Sequence, residues 1–319
     1  MDSHMLRMIK WVKKEGTGTV MLHSESGHVD NTIDELYRDY RKLAFSIAYR
    51  MLGVVYDAED AVQDLFADMV GRDLSEVRHM KAYIAKWMTN RCINVLQSPR
   101  RTRENYIGEW LPEPLIESAD QPDQAAERAD SLSYAYLVML ERLTPTERAV
   151  FLLREVFEYE YEEISDIVGK SAPNCRKIMS RAKEHARKPY PSVEDADARN
   201  ALVTKFVSAF QHYDVEALLA LLSEDTELIM DGGSHPRSAK RPIVGRSRVV
   251  TLLTSPKAFR AMRFSWQVSF TSVNGEMNMV YCDQGVVKAV CCCELTAEQD
   301  RISNVYIILN PDKLDHISL

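Results

Sequence analysis

The chain has 319 residues, of which 45% are hydrophobic and 27% charged, so it has enough apolar content for two or three ordinary cores. Its formal net charge is −7, so the chain as a whole lacks the positive charge that is typical of proteins that bind nucleic acid without a partner. No apolar run approaches the roughly 18 residues that cross a bilayer, and the six cysteines have no zinc spacing. These features predict a cytoplasmic protein with no membrane partner, no metal site and no cofactor.

The first part of the chain is predicted to be an all-helical domain over residues 31–98, preceded by a tail over residues 1–30 that lacks sustained periodicity. Apolar residues recur at helical spacing over residues 32–52, and Gly53 is placed to end that helix. Another predicted helix covers residues 81–96 and stops before Pro99. Between these two, residues 58–70 form a predicted helix with one apolar face and an opposite polar face that carries Glu59, Asp60, Gln63 and Asp64.

A change of composition separates this part from a second helical domain. Residues 99–130 are rich in Pro, Glu and Asp, and Pro112 and Pro114 forbid a regular helix there, which predicts a linker. Helical periodicity resumes at Leu132 and continues to about residue 188. Residues 131–188 are therefore predicted to be a second all-helical domain.

The clearest functional motif in the sequence is a predicted helix-turn-helix within this second domain. Residues 161–168 form a short predicted helix, Gly169 occupies the turn, and residues 171–187 form the second helix. Residues 170–188 contain seven basic residues and one acidic residue, a net charge of +6, so the rest of the chain carries −13. A recognition helix offers its N-terminal side chains to base edges and its flanks to phosphates, whereas the alternative is a solvated basic face on a structural helix pair. The acidic total predicts weak binding to duplex DNA by the chain alone.

A different architecture is predicted for residues 195–315. Two amphipathic helices, over residues 201–213 and 215–222, precede a run of strands that we expect to form an antiparallel meander. Residues 263–273 alternate strictly, with Phe264, Trp266, Val268 and Phe270 on one face, and Asn274-Gly275 is a strong hairpin signal. In a strand, Cys292 would face away from Cys291 and Cys293, so the three cannot hold a metal together. The prediction is an α+β domain whose curved sheet wraps a helix.

Several motifs resemble one family of transcription factors. Residues 57–66 are similar to the region 2 signature of bacterial sigma factors, and residues 143–182 are similar to their region 4. Three short motifs resemble those of extracytoplasmic-function (ECF) sigma factors with a SnoaL-like, nuclear-transport-factor-2-like C-terminal extension: residues 110–114 (WLPEP), 231–233 (DGG) and 310–314 (NPDKL). The family usually continues the second motif with another glycine and a lysine, where this chain has Ser234-His235. The resemblance implies two all-α sigma domains, a region 2 helical bundle and a region 4 helix-turn-helix, followed by an α+β SnoaL-like curved-sheet domain.

The resemblance also implies partners, namely the clamp and flap of the RNA polymerase core and promoter DNA at the −35 and −10 elements. The polar face of Glu59, Asp60, Gln63 and Asp64 is implied to bind the clamp, although a merely solvated face is the common alternative. The −10 element is implied to meet a set of cations, amides and one aromatic residue that suits capture of a single strand: Arg78, Lys81, Lys86, Trp87, Asn90, Arg91 and Asn94. Trp87 could equally be a core residue. For the −35 element we expect contacts from Ser171, Asn174, Arg176, Lys177 and Arg181.

The C-terminal domain is predicted to regulate the sigma domains in cis, so that no separate anti-sigma factor is required. We expect it to pack on the helical core through the residues of the three motifs: Trp110, Leu111, Pro112, Glu113, Pro114, Asp231, Gly232, Gly233, Asn310, Pro311, Asp312, Lys313 and Leu314. Two alternatives stay open. The domain could sense a small-molecule ligand in a pocket lined by Trp266 and Phe270, or it could be a working cyclase or isomerase, which would require a convergent pair such as Asp231 and His235.

Overall fold

The computed structural model describes residues 27–75, 77–98, 106, 108–116, 133–186, 196–233, 239–315 and 317. Most of the predicted tail, a large part of the 99–130 linker, and both Ser234 and His235 lie outside these residues. Within the described part of the chain, no helix is both long and apolar enough to span a membrane.

The first helical group consists of α1 (Gly27–Leu52), α2 (Val55–Met69) and α3 (Met80–Gln97). Helix α1 begins at Gly27, within the last four residues of the predicted tail. Gly53 lies between α1 and α2 with φ +68°, as its predicted role of ending a helix requires.

The second helical group consists of α4 (Tyr134–Leu140), α5 (Pro145–Glu155), α6 (Tyr161–Val168) and α7 (Ala172–Ala186). Thr144 and Glu147 form a capping box at the start of α5, with a proline in the first turn. Gly169 ends α6 in the left-handed conformation with φ +64° and turns the chain into α7. Helices α6 and α7 are the predicted helix-turn-helix.

The two helical groups share one hydrophobic core, which contains buried residues from both. Polar contacts also join them: the buried Arg148 of α5 donates to the carbonyl of Met51 at the end of α1 (2.6 Å) and pairs with Glu141 (2.8 Å). Asn90 of α3 donates to the carbonyl of Ile167 in α6 at 2.8 Å. The second group therefore packs directly against the first.

The C-terminal part is an α+β domain built on one mixed sheet, which confirms the predicted fold class. Helices α8 (Ala196–Gln211) and α9 (Val215–Leu221) lead into strand β1 (Leu222–Asp231), and the short β2 (Ile243–Val244) precedes α10 (Arg246–Leu253) and α11 (Arg260–Phe264). Strands β3 (Gln267–Val273), β4 (Glu276–Asp283), β5 (Val286–Leu295) and β6 (Ile302–Ile308) then form a meander, followed by a 3₁₀ turn at Pro311–Lys313.

The sheet has the order β2-β1-β6-β5-β4-β3, and its β1 and β6 are parallel. The purely antiparallel meander expected from the sequence is therefore incomplete, because β1 inserts beside β6 and pairs with β2. The strand predicted from residue 263 begins only at Gln267, since Arg260–Phe264 is helical. The strand that period-2 alternation predicts over residues 263–266 is therefore wrong. Phe264 is instead an exposed residue at the end of α11.

The two faces of the sheet pack against different parts of the molecule. One face, which includes Cys291 and Cys293, packs with α8, α9 and α10 in the domain's own core. The other face, which includes Cys292, packs against the linker and α4. The prediction that Cys292 faces away from its two neighbours is confirmed, and the second face is occupied by the helical part of the same chain.

Candidate nucleic-acid and interdomain interface

Helix α7 presents every predicted −35 side chain to solvent. Ser171 just before the helix, and Asn174, Arg176, Lys177 and Arg181 within it, are all exposed. The opposite face is buried in the shared core through Cys175, Ile178, Met179 and Ala182. The buried face fixes the orientation of the helix, so the polar and basic side chains share one accessible surface.

Ion pairs on this surface are weak and leave it available. Arg176 pairs with Glu162 at 3.1 Å and lies over the ring of Tyr161, and Lys183 pairs with Glu155 at 3.0 Å. Both pairs are solvent-exposed, and exposed pairs contribute about 0–1 kcal/mol. A phosphate oxygen could replace either carboxylate at little cost.

The predicted −10 residues of α3 divide into two groups. Exposed side chains belong to Lys81, Lys86, Arg91 and Asn94, and to Arg78 just before the helix. Trp87 and Asn90 are half-buried and engaged within the protein: Trp87 Nε1 donates to Asp68 (3.0 Å), and Asn90 donates to Ile167 of α6. The predicted stacking residue and one of the predicted base-reading amides are therefore held by intramolecular contacts in this arrangement.

Helix α2 carries a continuous exposed stripe. Its members recur at helical spacing: Tyr56, Asp60, Gln63, Ala67 and, just beyond the helix end, Val70. Of the four predicted polymerase-binding residues, Asp60 and Gln63 are exposed, while Glu59 and Asp64 are half-buried, and Asp64 pairs with Arg91 at 2.7 Å. Tyr56, 75% exposed, was missed by the sequence analysis, although its position four residues before Asp60 places it on the same face.

The linker motif runs between the helical part and the sheet. Leu111, Pro112, Glu113 and Pro114 are buried, and Trp110 is half-buried over Gly53, where a Cβ would lie 2.9 Å from its ring. Tyr134 of α4 donates to the carbonyl of Pro112 at 2.7 Å, and its ring packs against Tyr306 of β6. The motif thus contacts both helical groups and the C-terminal domain.

Asp231 at the end of β1 brings the three motifs together. Its carboxylate accepts hydrogen bonds from the Leu111 backbone N–H (2.9 Å), the Lys313 ammonium (2.6 Å), the Gly233 backbone N–H (3.1 Å) and the Tyr106 hydroxyl. Burial and the hydrogen bond to Asp231 raise the pKa of Tyr106, so this tyrosine stays a neutral donor. We call this set, Tyr106, Leu111, Asp231, Gly233, Asn310 and Lys313, the interdomain latch.

Lys313 and Asn310 complete the latch from the C-terminal motif. The buried Lys313 also donates to the carbonyl of Leu111, and its ammonium lies 4.0 Å from the centre of the Trp110 ring. Asn310 donates to the Tyr106 hydroxyl at 3.0 Å. Leu314 and Gly232 are buried, whereas Pro311 and Asp312 are exposed, so the latter two do not contact the helical part through buried side chains.

The saturated carboxylate of Asp231 does not fit a general base. Four donors surround it and the side chain is fully buried, so no site remains on it for a substrate proton. His235 lies outside the described residues, and within those residues no group of three His, Cys, Asp or Glu side chains could hold a metal ion.

Comparisons with known proteins identify the helical groups. A family model for sigma-70 region 2 matches residues 36–102, and one for sigma-70 region 4 matches residues 133–185. The ECF RNA polymerase sigma factor SigJ of Mycobacterium tuberculosis H37Rv is 28% identical over 289 residues, which cover 86% of this chain and 90% of SigJ. The probable ECF sigma factor SigI of M. tuberculosis CDC 1551 is 28% identical over 193 residues, 60% of this chain and 67% of SigI.

The crystal structure of M. tuberculosis SigJ has the same fold, with a TM-score of 0.70 and 24% identity over 88% of this chain and 98% of that one. A region 2 and a region 4 on one chain define the class as a sigma-70-type transcription initiation factor. The chain is a homologue of the ECF RNA polymerase sigma factor SigJ over most of its length, and it shares the fold of SigJ through its C-terminal α+β domain.

Proposed function

We propose that this sigma factor regulates its own activity in cis through the interdomain latch. As an alternative sigma factor it directs the RNA polymerase core to promoter DNA and initiates transcription. Our proposal assigns clamp binding to the exposed stripe of α2, flap binding to region 4, −10 recognition to α3 and −35 recognition to α7. The C-terminal domain then acts in the cytoplasm as a regulator and not as an enzyme, without a separate anti-sigma factor.

The distance between promoter elements supports this proposal. Positions −35 and −10 are separated by about 25 base pairs, or about 85 Å at the 3.4 Å spacing of the duplex. Helix α3 contacts α6 through Asn90 and Ile167, and α7, which packs on α6, has 15 residues and a length of about 22 Å. The two DNA-binding helices are therefore far too close together to reach both elements at once.

The observation that carries the proposal is the four-donor Asp231 carboxylate. It ties the linker, through Leu111 and Tyr106, to the C-terminal motif, through Lys313, and the linker in turn packs on α1 and α4. While these bonds persist, the linker between regions 2 and 4 is held against the sheet and cannot extend. Release of the latch would let region 4 separate from region 2 and reach the −35 element.

Promoter-specific transcription with purified core polymerase tests this proposal. The full-length chain is compared with a chain truncated before Asn310, which loses Asn310 and Lys313 from the latch, and with one truncated before Asp195, which loses the whole domain. We expect more transcript from both truncated chains than from the full-length chain. Promoter binding by the holoenzyme should increase in parallel. Equal activity of all three proteins would overturn the proposal.

A further inference from the structure

We propose that Asn274 couples the C-terminal domain to helix α2, so that this domain controls the affinity for the polymerase core as well as the spacing of the DNA-binding helices. This inference rests on the proposed function, because it gives α2 the polymerase-binding role. Asn274 belongs to none of the three sequence motifs, and its pairing with Gly275 predicts only a hairpin turn.

Asn274 occupies the tip of the β3–β4 hairpin and joins it to the linker. The residue is 1% exposed and has φ +54°, a left-handed conformation that asparagine tolerates. Its backbone N–H donates to the carbonyl of Leu115 (2.8 Å), and its side-chain Oδ1 accepts from the N–H of Leu115 (3.1 Å). Asn274 at the hairpin tip therefore binds both backbone polar groups of Leu115, the carbonyl and the N–H.

The amide of the same side chain reaches region 2. Asn274 Nδ2 donates to the hydroxyl of Tyr49 in α1 (3.0 Å), and that hydroxyl donates to the carbonyl of Glu113 in the linker (2.6 Å). Tyr49 is buried, and this burial raises the pKa of its hydroxyl, which keeps it protonated as a donor. One side chain of the C-terminal domain thus contacts both the linker and region 2.

Glu113 carries the connection to the start of α2. Its backbone N–H donates to the carbonyl of Gly53 (2.8 Å), and its carboxylate accepts from the N–H of Val55 (2.7 Å), the first residue of α2. Val54, the N-cap residue, supplies no side-chain hydrogen bond, so a linker residue 58 positions away caps this helix. A carboxylate at this position also complements the positive end of the helix dipole.

The linker consequently lies at one end of the proposed polymerase-binding stripe. Tyr56, whose neighbour Val55 is held by Glu113, is the first member of that stripe, and Asp60 follows one turn later. A polymerase surface that covers the stripe meets the docked linker at the first turn of α2. The docked linker and the polymerase therefore compete, and the apparent dissociation constant rises with the fraction of molecules in the docked state.

The test measures binding of the full-length chain to core polymerase, by competition against a labelled sigma factor. Asn274→Gly keeps the left-handed backbone favourable but removes both side-chain hydrogen bonds. The matched control is Gln284→Gly, at an exposed position with φ +50° in the next hairpin. Loss of the two buried hydrogen bonds gives an expected tightening of up to about 30-fold for Asn274→Gly and no change for the control.

A second variant decides the question if the glycine variant fails to fold. Tyr49→Phe removes the hydrogen bonds that the Tyr49 hydroxyl makes with Asn274 Nδ2 and with the Glu113 carbonyl in the docked state, so we expect it to tighten polymerase binding as well. Unchanged affinity of the folded variants, together with higher activity of the chain truncated before Asn310, would overturn the role of Asn274 and leave cis regulation standing. Unchanged behaviour of all of these proteins would overturn both.

Discussion

Asp231 and Lys313 form a buried ion pair at 2.6 Å between residues 82 positions apart, with side-chain exposures of 0% and 8%. Other groups of the protein, in place of water, surround both charges. Three further donors bind the Asp231 carboxylate, and the Lys313 ammonium also contacts the Leu111 carbonyl and the Trp110 ring. A pair of this kind stabilises one arrangement only when both members are present. It therefore makes the closed arrangement sensitive to any single change in the latch.

We expect Asp231→Asn to open the molecule. The substitution leaves the Lys313 ammonium buried without its counter-charge, at a cost of about 3–5 kcal/mol to the closed arrangement. Small-angle X-ray scattering should show a larger radius of gyration than for the parent chain, and promoter-specific transcription should rise.

Asp312→Asn is the matched control for this experiment, since it removes one carboxylate from the neighbouring exposed position. It should change neither the radius of gyration nor transcription. Adding Lys313→Met to Asp231→Asn removes the uncompensated charge, so part of the compactness should return. An Asp231→Asn chain as compact as its parent would contradict the latch.

Gly233→Ala should weaken the latch by a steric route. Gly233 has φ +55°, and a Cβ there would lie 2.8 Å from the Asn310 side chain, which would have to leave its bond to Tyr106. Gly285→Ala is the control, because Gly285 also has a positive φ (+80°) but open space around a Cβ. Both variants bear the backbone cost of about 1 kcal/mol, and Gly233→Ala bears about 1 kcal/mol more. Thermal unfolding of both variants in parallel measures the difference, and equal midpoints would contradict it.

Local patterns in the sequence predicted the parts of the fold that local physics determines. The helix-turn-helix, with Gly169 at its turn, and the opposite orientations of Cys292 and its neighbours follow from periodicity and glycine conformation. Residues 263–266 were assigned to a strand because their alternation continues into β3, yet the helix Arg260–Phe264 extends into them, and Arg263 contacts carbonyls at the ends of α8 and α10. A buried charge of this kind carries no signal in a periodicity pattern.

The interdomain site was predictable as a set of motifs but not as a set of contacts. The family resemblance selected Asp231 and Lys313, and the structure brings them together. Tyr49, Tyr106 and Asn274 were missed, because their roles depend on how three distant segments meet and not on their neighbours in sequence. One face of the sheet packs against the helices of its own domain, and the other packs against the linker and α4. No local sequence pattern predicts this arrangement either.

Arg181→Ala should reduce promoter-specific transcription while leaving the fold intact. Arg181 is exposed on α7 with its neighbours Cys175 and Ile178 buried on the other side, so the change removes a phosphate-directed charge without disturbing the core. Loss of one phosphate contact should lower the salt dependence of holoenzyme binding by about one counterion. Arg248→Ala removes the same charge from an exposed position on α10 in the C-terminal domain. If both variants lose the same affinity, general charge and not α7 is responsible.

Glu147 should make region 4 sensitive to acid, because it caps α5 and contacts His185 of α7. Its buried carboxylate accepts from the backbone N–H (3.0 Å) and hydroxyl (2.8 Å) of Thr144 and contacts His185 Nδ1 at 3.1 Å. Burial alone would raise the pKa of Glu147, but the hydrogen bonds from Thr144 and the contact with His185 lower it below its ordinary value. Because the folded-state pKa lies below the unfolded one, this stabilisation is complete above the unfolded pKa and is lost as pH falls through the folded pKa.

The Glu147→Gln variant should therefore differ from the parent chain most at neutral pH and least in acid. At pH 7 we expect it to be less stable by about 1 kcal/mol, the usual effect of losing a capping interaction. Between pH 5 and pH 3, thermal midpoints of the parent should fall toward those of the variant, since protonation removes the same carboxylate charge. Glu155→Gln, at an exposed position on the same helix, is the control that keeps the capping box. Midpoints that stay equally far apart down to pH 3 would show that the Glu147 carboxylate charge contributes nothing to this helix.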